Sequence, residues 1–285
     1  MRETRGSQSG SSPIQTIAFL AGFTFLIYEV SWQRQLALAL GATVTAATLV
    51  LSAFMAGLGA GAFAWGRSSA GRRDPARLLA FLLAGVGVLG ALGHLVIAGG
   101  MPRMYAWLAA QGASLGVTAF LANALALIIL LAPAFLMGGV FPLAAALAVR
   151  GGGAIGRSLG RLYALETLGS ALGGLVAGFL LLGAIGQRGT LALAVLVDLA
   201  LAVWLLTGRG FAPDAGGTAP QEPSAGSSRR PTRTGGAAVA PAAQRALGLL
   251  GAFACGLCLL ALQVIWLRVL RVYLTNTSYT FALIT

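Results

Sequence analysis

The stretch Leu115–Val149, LGVTAFLANALALIILLAPAFLMGGVFPLAAALAV, runs without a single charged side chain. About 20 such residues, wound as an α-helix, cover the roughly 30 Å of hydrocarbon in a bilayer. The stretch is longer than that and holds Pro133 and Pro142 with Gly138 and Gly139 between them. A kink or a break into two pieces is therefore expected inside it. Nothing in it alternates with the period of two that a membrane barrel strand shows.

Similar apolar runs recur on both sides, near 14–36, 44–65, 78–98, 162–185 and 190–207, with a seventh at about 247–267. The whole chain agrees: 58% of residues are hydrophobic and 9% charged, and the mean hydropathy is +0.86. Soluble domains are about half apolar and a quarter charged, so that class is excluded. The expected fold is an all-α polytopic membrane protein whose main partner is the lipid bilayer. Residues 14–207 form a six-helix bundle, 1–13 a polar tail, 208–244 a linker, and 245–285 a further span. No small-residue cleavage site follows the first apolar run, so the tail is expected to stay on the protein.

The formal charge is +12 and every basic residue is Arg. Arg67, Arg72, Arg73 and Arg77 lie between the second and third runs. Arg150, Arg157 and Arg161 lie between the fourth and fifth, and Arg209, Arg229, Arg230, Arg233 and Arg245 follow the sixth. The other connections hold only Arg103 and Arg188. This alternation is the positive-inside pattern, and it places both ends of the bundle, including the N-terminus, in the cytoplasm. It argues against nucleic acid as a partner, because the charges form no single patch.

From 208 to about 243 the chain is rich in Gly, Pro, Ser, Ala and Arg, a composition that buries too little apolar surface to fold. After it the opening of the chain recurs at an offset of 234. Gly22, Val30, Trp32, Arg34, Leu36 and Thr43 meet Gly256, Val264, Trp266, Arg268, Leu270 and Thr277. A six-span unit that begins again after a linker is the plan of two-halved transporters. Only a dozen residues follow Tyr273, too few for another span, so the second repeat is expected to be partial. Cys255 and Cys258 stand alone in an apolar run, which favours buried, inert thiols over a metal or redox pair.

Three stretches carry a family resemblance. They are Tyr28-Glu29-Val30-x-Trp32-x-Arg34-x-Leu36 with Ala53 to Leu58, then Pro133 to Leu143, then Gly160 to Gly169 followed by Gly174, Gly178 and Phe179. Together they resemble the membrane part of bacterial fused major-facilitator/spermidine-synthase-like proteins. The resemblance implies a bundle like one major-facilitator half, a bacterial inner membrane, and polyamines as the small cationic solute. It also implies that such helices can anchor or regulate an aminopropyltransferase-like domain, but the Gly-Gly-Gly-Asp-type loop of that enzyme is absent from this chain. Gly151-Gly152-Gly153 precedes Ala154 and sits between spans. Glu166 stands where the family commonly has Asn, and Gln263 where the second repeat would echo Glu29.

Ionisable groups inside a span cost a few kcal/mol and mark candidate sites. Glu29, Arg34, His94, Glu166 and Asp198 qualify, with Asn123 as a further polar group. Carboxylates in a polar cavity bind cations or carry protons. The alternative is structural: the same groups pair across helices or reach the water interface, Arg34 by snorkelling. Glu29 and Arg34 lie roughly 140° apart around a helix and cannot share a face, so each is expected to find its partner on another helix. A bundle with every charge paired and no solute path would be a purely structural membrane partner. Gly112 to Gly116 and Gly156 to Gly160 match Gly-x-Ser-x-Gly but lack the preceding strand of a nucleophile elbow. No metal, nucleotide or haem cofactor is implied.

Overall fold

The computed structural model describes residues 11–41, 43–69, 74–150, 155–208 and 242–273. The first ten residues, the Gly71–Arg73 basic loop, the Gly151–Gly153 turn, nearly all of the linker and the chain after Tyr273 lie outside the described residues.

Among the described residues there are helices and turns and no strand. Seven helices among the described residues are long and apolar enough to cross a membrane: Pro13–Leu40, Thr45–Ser68, Pro75–Ala110, Leu115–Val149, Ile155–Ala184, Gly186–Leu206 and Ala246–Trp266. They are called the first to seventh spans below. The protein is an all-α, multi-pass membrane protein, and each expected apolar run overlaps a span.

The fourth span breaks where expected. Its first piece, Leu115–Gly138, contains Pro133, and its second, Val140–Arg150, begins after a turn at Gly139. Pro142 has no N–H to give to the carbonyl four residues earlier, so the ladder cannot pass that point intact. The same span starts on Ser114, whose hydroxyl accepts from the Val117 amide at 3.3 Å. That cap explains Gly112-Ala113-Ser114-Leu115-Gly116 as a turn into a helix. Ser158, in the other such string, sits inside the fifth span.

Two spans reach well beyond the expected runs: the fifth begins at Ile155 instead of near residue 162, so Arg157 and Arg161 lie in the helix and not in the connection before it. The third span was expected to end near residue 98, leaving Arg103 in a loop. It continues through one turn of π-helix, Val96–Gly100, into Met101–Ala110. The π turn takes in Gly99 and Gly100, and Pro102 follows in the first turn of the next piece without ending the helix, so Arg103 is a helical residue.

The spans pair in a definite way: first with fifth, second with fourth, third with sixth. Small residues form two of these contacts. Gly169 and Gly173 of the fifth span lie against the Phe19 and Phe23 backbones of the first, and Gly57 and Gly61 of the second lie against Ala134, Phe135 and Gly138 of the fourth. Lipid supplies no hydrophobic drive for helices to associate, so close backbone approach is what holds such pairs. The buried core runs through Tyr28, Trp32, Phe54, Leu83, Met101 and Leu130.

The seventh span stands apart. It touches the second span, and Val264 reaches the core, but most of its side chains are exposed. Cys255 and Cys258 are therefore exposed, not buried as expected, because neither faces a partner helix.

Candidate functional site

The first span holds the polar side chains of the interior. Thr24, Tyr28, Ser31 and Gln35 recur at spacings of four, three and four, which lines them along one helical face. All four are buried. That face meets the third and sixth spans.

Asp198, on the sixth span, is fully buried at 0% exposure, beside this stripe. The Thr24 hydroxyl lies 3.0 Å from the Ala21 carbonyl and 2.7 Å from Asp198 Oδ1. It has one proton, and the shorter contact, to an acceptor able to carry charge, is the stronger. Asp198 Oδ2 has no hydrogen-bond partner. The Tyr28 hydroxyl interacts electrostatically with this carboxylate, but its oxygen forms no complete hydrogen bond. The Tyr28 ring fills the space that a Cβ at Gly90 would need, and it stacks on Trp32 with centroids 5.2 Å apart. Gly90 is thus what admits the phenol between the first and third spans.

Replacing Thr24 by valine keeps the shape and removes the donor. Leaving Asp198 Oδ1 buried and unpaired should lower stability by about 1–3 kcal/mol. Thermal melting in detergent tests this, and an unchanged midpoint would show that Thr24 does not hold the carboxylate.

Glu29 is buried at 5% exposure and its Oε1 lacks a partner. It stands seven residues after Gly22, which packs on the fifth-span backbone at Glu166, so Glu29 belongs to the face turned toward the fifth span. Gln33, one turn further, shares that face and also has an unpartnered Oε1. Here the first span touches the π turn Ala177–Leu181 of the fifth. Glu166 lies lower on the same contact, about 10 Å along the axis from the Glu29 level at 1.5 Å per residue, and is half-buried.

The structure therefore sets apart groups that a single polar cavity would bring together. Asp198 faces one side of the first span and Glu29 another. Nor do Glu29 and Arg34 gain partners of opposite charge: the ion pair among the described residues is Asp74–Arg77, 3.3 Å apart and exposed. Arg34 is exposed, in keeping with a snorkelling side chain. Asn123 satisfies its Nδ2 within its own helix, donating to Ala119 O at 2.8 Å, and keeps Oδ1 unpartnered.

His94 joins the stripe from the third span, its Nδ1 bonded to Gln35 Nε2. Gln187, at the start of the sixth span, donates to Ser31 O at 2.8 Å.

Thr24, Tyr28, Gln33, Gln35 and Gln187 were not singled out from the sequence, although the spacing of Thr24, Tyr28, Ser31 and Gln35 was a usable signal. No group of three metal-ligating side chains occurs among the described residues. A scan of protein-family models, a search of curated proteins and a search of solved structures each return no match to this chain.

Proposed function

We propose that the six spans form a unit of major-facilitator type that binds or moves a small cationic solute, with Asp198 as its anchoring carboxylate and Glu29 as a second. One observation carries the reading. Among the described residues, Asp198 and Glu29 are buried without a cationic side chain in ion-pair contact, and each keeps an oxygen without a hydrogen-bond partner. A carboxylate in that position lacks the compensation that buried charge requires, which a proton or a bound cation supplies.

The pairing of the spans speaks for the architecture. Exchanging spans one to three with four to six turns the first–fifth contact into fourth–second and leaves third–sixth unchanged. It also carries the Gly169/Gly173 contact onto the Gly57/Gly61 contact. Two inverted three-span repeats have this property, and solute sites in such folds lie near the repeat interface. The choice of polyamines rests on the family resemblance of the three motif stretches.

The test is uptake of radiolabelled spermidine by the full chain in proteoliposomes, with and without an imposed proton gradient. Asp198→Asn should cut uptake at least tenfold with folding intact, and Glu29→Gln should abolish gradient dependence. Wild-type rates in Asp198→Asn, or no uptake by the wild type, would overturn the proposal, and the latter would favour membrane anchoring.

A further inference from the structure

A cleft of about 550 Å³ lies between the third span and the start of the sixth, lined by His94, Leu95, Ala98, Gly99, Arg103 and Arg188. Two guanidinium groups and an imidazole line it, and among the described residues no carboxylate does. Arg188 is close enough for its charge to act on the His94 ring. Like charges gathered at one place repel unless an anion lies between them.

The cleft is held in shape by contacts on each side. Arg103 Nη1 donates to Gly99 O at 2.9 Å, across the π turn. His94 is fixed by Gln35, and the segment carrying Arg188 by Gln187 on Ser31 O. Arg188 also belongs to the first turn of the 21-residue helix Gly186–Leu206, which has Ile185 at its N-cap and no side-chain cap. Its leading amides lack a side-chain acceptor, and the positive end of the helix dipole adds to the two arginines.

From this geometry we infer that the cleft binds a phosphate group. Arginine pairs match phosphate oxygens through forked N–H donors, and Leu95 and Ala98 offer an apolar wall beside them. A phospholipid headgroup and free phosphate share this chemistry. The site is independent of the carboxylate centre, since neither Asp198 nor Glu29 lines it.

The experiment titrates the purified full chain in neutral detergent with dioleoylphosphatidylglycerol, with uncharged dioleoylglycerol, and with sodium phosphate at matched ionic strength, following the melting temperature. A saturable rise is expected with the phospholipid and none with dioleoylglycerol. Half-saturation should move about tenfold for each guanidinium removed in R188Q and R103Q/R188Q. R77Q, whose charge lies elsewhere, should bind as wild type. A rise with sodium phosphate equal to that with the lipid assigns the site to the free anion, and a rise with the lipid alone assigns it to the headgroup. No rise with either, or a rise that survives in R103Q/R188Q, overturns the site. R188Q separates binding from folding, because the Arg188 side chain is exposed and its removal should leave the unliganded melt unchanged.

Discussion

Replacing Trp32 by alanine is expected to destabilise the bundle by about 3–5 kcal/mol, the range for removing a large aromatic from a packed interior. Trp32 is fully buried. Its ring stacks on Tyr28 and meets Phe54 with centroids 5.8 Å apart and planes tilted by 58°, and it lies against Gly93 of the third span. It thus joins three spans through one side chain. In lipid the loss is mostly of dispersion contacts, since a void leaves the lining atoms without partners. Trp32→Phe should keep much of the stacking and cost less than half as much. Thermal melting of purified variants in one detergent measures both, and equal midpoints for Trp32→Ala and wild type would show that the aromatic column does not hold the spans together.

Gly173→Val should be nearly as damaging, for the opposite reason. A Cβ at this position collides with the Phe23 carbonyl of the first span, which is backbone and cannot turn aside. The first and fifth spans would have to separate, and overpacking costs about 1–3 kcal/mol even where side chains can shift. Separation also loosens the contact on which Glu29 sits. Gly160→Val, on the same span with open space around it, carries the same loss of glycine and provides the control. The expected result is a melting temperature lowered well below that of Gly160→Val. Matching melts for the two variants would mean that this crossing tolerates a gap.

Much of the fold was legible because lipid imposes simple conditions. A backbone in hydrocarbon must satisfy its own hydrogen bonds, so length and lack of charge alone mark a helix. Leu115–Val149 and its neighbours could be placed on that basis, and Pro142 marked the break that falls at Gly139. The extension of the third span to Ala110 was hidden because two glycines and a proline, Gly99, Gly100 and Pro102, interrupt the apolar run, whereas the π turn Val96–Gly100 carries the helix on into Met101–Ala110.

Read alone, the amino-acid sequence establishes a helical chain that crosses a membrane and marks the side chains that are costly there: Glu29, Arg34, His94, Glu166 and Asp198. These follow from composition and local spacing, which act within a single helix. The partners of these side chains come from the packing of the spans. That Asp198 meets Thr24 at 2.7 Å, that Glu29 faces a different span, and that Arg103 and Arg188 share a cleft all depend on which helices touch and how they are rotated. Apolar surface packs against lipid or protein almost equally well, so hydropathy says little about rotation. The small residues and the few polar contacts choose it, and they do so between segments far apart in the chain.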